Sequence, residues 1–238
     1  MDTSEKGLEE IIEKSLVSKA KYEAGDWRED YNREFAIDKK RLYRFLEATQ
    51  PIAFAELKVE ISSDYAERMF LTEVSRQIVS RGILDVLLKG FSYKHLRFDA
   101  YKVLPSLGNP QAQADYEKNI FSEIRQIHFS ETTNESVDIV IFINGLPIST
   151  IELKNSLTKQ NTADAVEQYR SRDPKIPLFN FKRCIVHFAV DDNTVMMCTK
   201  LDGRSSWFIP FNKGYNRGAG NPPNPNGIKT DYLWETIL

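Results

Sequence analysis

Two acids and a lysine, Asp138, Glu152 and Lys154, interrupt two otherwise apolar runs, VDIVIFI and ISTIELK, that meet at the turn pair Asn144-Gly145. The pattern is D-x13-E-x-K on a predicted hairpin. Strand alternation puts Glu152 and Lys154 on one face and Leu153 on the other. Whether Asp138 joins them depends on register. A two-residue Asn-Gly loop pairs Ile143 with Leu146 and Asp138 with Ile151, which leaves Glu152 on the opposite face. Pairing Ile143 with Pro147 sets Asp138 opposite Glu152 and gathers Ile139, Ile141, Ile143, Ile151 and Leu153 on the other side. The apolar pattern favours the second register, so a three-residue loop or a bulge is expected despite the Asn-Gly signal.

Two carboxylates converging at a strand end supply hard oxygen ligands for Mg²⁺, with Mn²⁺ as a substitute, and the backbone carbonyl of Leu153 could add another. Such an ion would lower the pKa of a bound water and neutralise charge developing on a phosphate. Lys154 could orient the attacking water or stabilise the phosphorane. The competing reading is that E-x-K arises by chance and marks a solvated strand face. Against it, most neighbours are apolar on both faces, as in central strands, where charges without partners are costly.

The elements that must carry these residues can be read from periodicity. Leu8, Ile11, Ile12, Leu16 and Val17 recur at helical spacing, followed by a polar loop, KYEAGDWREDYNRE. Helical periodicity returns over Lys39 to Ala48, stops near Pro51, and resumes from Asp64 to Ser80 with Gly82 after its end. Leu96 to Leu104 alternates as a strand, and Pro110 to Lys118 reads as a short helix. Strands are predicted over Ile124 to Phe129, Val137 to Ile143, Ile148 to Lys154, Ile185 to Val190 and Val195 to Leu201, with a helix over Thr162 to Arg172 behind an Asn/Thr cap. The fold class is α/β, helices on a mixed sheet. Three stretches follow: a mainly helical portion over 1–95, a sheet core over 96–210, and a Gly/Asn/Pro-rich wrap or linker over 211–238.

The 238 residues are 41% hydrophobic and 28% charged, enough apolar material for a real core. No run approaches the roughly 18 apolar residues needed to cross a bilayer, and the polar start carries no signal-peptide pattern, so a cytoplasmic protein without membrane contact is expected. Cys184 and Cys198 lack the paired spacing of a zinc site and read as buried free thiols. His95, His128 and His187 are scattered, and His187 in CIVHFAV reads as structural. A net charge of −2 argues against a surface coated for nucleic acid. A local basic groove stays open, because Lys154, Lys159, Arg170, Arg172, Lys175, Lys182 and Arg183 outnumber the acids between Asp138 and Arg183.

With those residues in view, the chain resembles the restriction subunits of type I restriction enzymes, whose first domain is a PD-(D/E)xK nuclease. SVDIVIFINGLPISTIELKNS is similar to the nuclease hairpin, RQIHFS to the preceding strand, and FIPFNKGYNRGAGNPPNPNGIKTDYLWETIL to the passage into the motor domains. The resemblance spans roughly Leu8 to Leu238. It implies a restriction-endonuclease-like mixed sheet flanked by helices, with Asp138 and Glu152 as metal ligands and Lys154 as the catalytic lysine. It also implies an acid on the first helix near the metal, Glu9 in LEEIIEKSL, with Glu10 as the alternative. A Q-x-x-x-Y motif follows the hairpin in many such nucleases: Gln168 fits its first position, Arg172 stands where the tyrosine would, and Tyr169 lies beside Gln168.

The same resemblance implies a complete subunit that is an ATP-driven translocase on double-stranded DNA, working with methylase and specificity subunits. The chain has no G-x-x-x-x-G-K-[ST] loop, so ATP binding is expected only in motor domains outside it. The apolar ending YLWETIL reads as a point inside a longer protein. Two functions remain open: a Mg²⁺-dependent endonuclease domain, and a catalytically silent nuclease-like module that docks DNA or partner subunits. A phosphodiesterase acting on RNA or small substrates is a third reading, with no 2′-hydroxyl reader to support it.

Overall fold

A computed structural model describes residues 5–106, 108–130, 132–155 and 159–238. Helix α1 (Glu5–Ser18) is followed by the short strand β1 (Glu23–Gly25) and a small hairpin of β2 (Tyr31–Asn32) and β3 (Ile37–Asp38). Four helices come next: α2 (Lys39–Thr49), α3 (Pro51–Glu60), α4 (Asp64–Arg81) and α5 (Ile83–Lys89). A second small hairpin, β4 (Phe91–Tyr93) and β5 (Leu96–Phe98), leads to α6 (Pro110–Tyr116). The sheet strands β6 (Phe121–His128), β7 (Ser136–Ile143) and β8 (Leu146–Leu153) precede α7 (Thr162–Ser171), and β9 (Val186–Val190), β10 (Val195–Cys198) and β11 (Ile209–Pro210) follow it. A single π-helical turn, Leu233–Ile237, ends the chain.

The main sheet has the order β1-β6-β7-β8-β9-β10-β11. β1 runs parallel to β6, β8 runs parallel to β9, and the other neighbours are antiparallel, so this is the mixed α/β sheet expected. β7 and β8 sit at its centre and are apolar on both faces because both faces are covered. On one side Val140, Phe142 and Ala189 pack under Ala165, Val166 and Tyr169 of α7. On the other, Ile139, Ile141, Ile151 and Leu153 pack against Leu8, Ile12 and Leu16 of α1 and against Tyr232, Leu233 and Trp234. The helices α2 to α5 build a third core, which reaches the sheet through Ile120 and Leu146.

Several elements differ from the periodicity reading. The helical run from Lys39 does stop before Pro51, at Thr49, but Pro51 at once starts a further helix, α3, because proline at a first helical position has no amide to lose. Gly82, at φ +93°, caps α4 and also opens α5. The strand at Leu96 stops at Phe98, and β10 stops at Cys198. Within the polar loop after α1, Glu23–Gly25 pairs with β6, so β1 belongs to the main sheet, on which α1 packs. Among the described residues no helix is long and apolar enough to cross a membrane.

Candidate active site

The hairpin that carries the acids resolves the register conflict by doing both things at once. Asn144 and Gly145, at φ +51° and +80°, form the two-residue loop, and Ile143 pairs with Leu146. The register then slips, with Phe142 opposite Pro147 but Ile141 opposite Ser149, so Ile148 is the extra residue of a bulge. The loop itself is locked. Asn144 is fully buried; its amide donates to the Ala100 carbonyl at 2.9 Å and its side-chain oxygen accepts from the Ile120 amide at 2.7 Å. Beyond the bulge Ile139 faces Ile151, and one step further Asp138 comes level with Glu152.

There β7 and β8 part, and the Asp138 carboxylate fills the gap. One oxygen accepts from the Leu153 amide at 2.6 Å, and the other from Gln126 Nε2 at 3.1 Å. The same Nε2 donates to Glu9 Oε1 at 2.7 Å. Glu9 is buried while Glu10 is exposed, so of the two helix acids it is Glu9 that reaches this cluster. Alternation also breaks at this level. Val137 and Val140 both pack on the α7 side and Ile139 on the α1 side, and the hydrogen bonds of Asp138 run toward α1.

Glu152, by contrast, is held from α7. It has no exposed surface, and its two oxygens accept from Arg172 Nη2 and from Gln168 Nε2, each at 2.8 Å. Gln168 and Arg172 are four residues apart and therefore project from the same side of the helix end. Burial, then the charge of Asp138, push the Glu152 carboxyl up to about 8, while Arg172 and Lys154 pull it back. The two acids are level in register but held from opposite sides of the sheet, not from one face as the apolar pattern suggested, while the charges of Asp138 and Lys154 both still act on Glu152. The Lys154 backbone amide donates to the Val190 carbonyl at 2.8 Å, which keeps the end of β8 in the sheet.

Arg172, which stands where the tyrosine of Q-x-x-x-Y would, reaches Glu152 directly. Tyr169 does not: its hydroxyl meets Thr150 Oγ1 at 2.8 Å and the Phe188 carbonyl at 3.3 Å inside the α7 core. Gln126 escaped the reading altogether, and the polar pair Arg125-Gln126 within an apolar strand was its only signal. Cys184 and Cys198 are buried free thiols, and His187 is buried with its Nδ1 at 2.8 Å from Thr150 Oγ1, its pKa pushed down to about 3 by burial.

Residues 2–206 match the sequence model of the family described as the type I restriction enzyme R protein N terminus. The chain belongs to this family. It is also 36% identical over 76 residues to a protein of Methanocaldococcus jannaschii named the putative type I restriction enzyme MjaVIIIP endonuclease subunit. That stretch is 31% of this chain and only 7% of the archaeal protein.

In this R protein N terminus the clustered acids offer hard oxygen donors of the kind Mg²⁺ takes. The raised Glu152 carboxyl, next to Asp138, is a site where a nearby cation would relieve both desolvation and repulsion. On those grounds the donor chemistry fits a divalent ion. Among the described residues no three His, Cys, Asp or Glu side chains already stand as a metal-holding group. A cleft of about 530 Å³ opens beside Glu9 and Gln126 and is also lined by Trp27, Arg28, Glu123 and Arg125.

Proposed function

We propose that this R protein N terminus is a Mg²⁺-dependent endonuclease domain that hydrolyses phosphodiester bonds of double-stranded DNA. The observation that carries the reading is that Asp138 and Lys154 both lie within electrostatic reach of the buried Glu152 where β7 and β8 part, in a chain of this family. Asp138 and Glu152, with the Leu153 carbonyl and Glu9 beside them, would hold the ion, and Mn²⁺ would substitute. When bound it would supply charge neutralisation at the phosphate and a lowered pKa for water. The chain's own residues do the rest. The Leu153 amide orients the Asp138 carboxylate, Gln168 and Arg172 orient Glu152, and Lys154 places a compact positive charge where negative charge develops on the phosphate.

The full subunit would then be an ATP-dependent DNA translocase acting in the cytoplasm with methylase and specificity subunits, and this domain would neither bind nor hydrolyse ATP. One observation favours the second reading, a silent docking module: both Glu152 oxygens are already engaged by Gln168 and Arg172. The test is cleavage and translocation measured on the same full-length preparations. Asp138→Ala and Lys154→Ala should abolish cleavage and leave translocation intact, with a loss of about 10² to 10³ in rate for the lysine. Mn²⁺ affinity should fall with Asp138→Ala far more than with Lys154→Ala. Normal cleavage by either variant would place the cutting site elsewhere.

A further inference from the structure

We propose that Gln126 is a positioning residue of this site: its carboxamide holds Glu9 of α1 and Asp138 of β7 together in the arrangement that receives a divalent cation. The inference rests on the reading of Asp138 and Glu152 as the cutting site, and extends it to a residue outside the D-x13-E-x-K pattern.

The geometry uses every hydrogen-bonding atom of the amide. Its NH₂ donates to Glu9 Oε1 at 2.7 Å and to Asp138 Oδ1 at 3.1 Å, and its oxygen accepts from Ser136 Oγ at 2.9 Å. The opposite orientation would set the amide oxygen against two carboxylates, so chemistry fixes which end points where. An uncharged NH₂ group therefore occupies the space between two acids that would otherwise face each other as like charges.

The backbone is bent to deliver it. Gln126 lies at φ +49° inside a strand, a conformation that residues other than glycine rarely adopt. It is also skipped by the ladder, which pairs Arg125 with Ile139 and Ile127 with Val137. In a regular strand Gln126 would share a face with Ile124, which packs under α7. Here Ile124 and Ile127 both face α7, and the two residues between them turn to α1: Arg125 pairs with Glu13 at 3.2 Å and Gln126 meets Glu9. The irregularity thus aims the amide at the acids, and a regular strand would bury it on the wrong side of the sheet.

A purely structural tie between α1 and the sheet would use the same hydrogen bonds, so the test must separate the two roles. Gln126→Asn tolerates positive φ but is one methylene too short to reach both acids, whereas Gln126→Leu keeps the bulk and removes the amide. In the full-length protein, Mn²⁺ affinity by calorimetry and kcat and KM for DNA cleavage are measured beside the melting temperature. Both variants should bind Mn²⁺ about 10–100-fold more weakly and lose kcat with KM for DNA unchanged, and Gln126→Asn should do so at a wild-type melting temperature. The proposal is overturned if Gln126→Asn binds Mn²⁺ and turns over within twofold of wild type while Asp138→Ala has lost both. If Asp138→Ala itself binds Mn²⁺ and cuts DNA as wild type does, the reading of the site fails first and this proposal falls with it.

Discussion

A carboxylate buried as fully as Glu152 must be met by donors, and Arg172 supplies the charged one. Its guanidinium also donates to Glu135 at 2.8 Å and to the Ser136 carbonyl at 2.7 Å, and it lies over the Phe129 ring. Arg172→Met would remove the cation that favours the charged form of Glu152; the carboxyl would then stay protonated and lose a donor, so stability in urea should fall by about 1–3 kcal/mol. Replacing Glu152 with Met in the same chain should recover most of that loss, since no buried polar group is then left without its donor. A double variant no more stable than the single one would show that Arg172 acts through its other partners. At this scale Asp138, Glu152, Lys154 and Gln168 were legible because charged or amide groups were spaced along an apolar hairpin and the helix after it. Arg172 and Gln126 were not. The reach of Arg172 depends on how α7 lies over β8, and Gln126 turns toward α1 only because the backbone abandons strand alternation.

The hairpin shows why an element can be right in type and ambiguous in register. Asn144-Gly145 signalled a two-residue loop and the isoleucines signalled the other pairing, and the bulge at Ile148 satisfies both. Apolar burial decided the far end of the hairpin and turn chemistry the near end. Gly145 has no freedom to change: a Cβ there would stand 2.2 Å from the Asp38 carbonyl oxygen and 2.7 Å from the Leu42 amide, at φ +80°. Gly145→Ala should therefore cost at least about 1–3 kcal/mol from backbone strain, and more from the clash, read as a lowered urea midpoint. An unchanged midpoint would mean that the loop can shift away from α2. The short strand β1 was hidden for a different reason. Its three residues, Glu-Ala-Gly, carry no apolar alternation, and a parallel partner almost a hundred residues away leaves no mark on local sequence.

Across the whole molecule the two ends of the chain share one core. Leu8, Ile12 and Leu16 pack with Tyr232, Leu233 and Trp234, and the Tyr22 hydroxyl donates to the Leu238 carbonyl at 2.9 Å. Residues 211–238 read as a wrap or linker because they are rich in Gly, Asn and Pro, and the apolar ending YLWETIL reads as a point inside a longer protein; in the fold that ending supplies Tyr232, Leu233 and Trp234 to the core. Trp234→Ala should cost about 3–5 kcal/mol, as large-to-small changes in a core do, and amide exchange in residues 8–16 should quicken with it. Exchange in α1 unaltered by the substitution would show that the helix docks without its C-terminal cover. The same seam has a consequence for synthesis. Because α1 is made long before Tyr232, Leu233 and Trp234, a nascent chain on the ribosome holds α1 without that part of its cover until residue 234 has emerged. During synthesis, therefore, Glu9 meets Gln126 from a helix that is packed on the sheet alone.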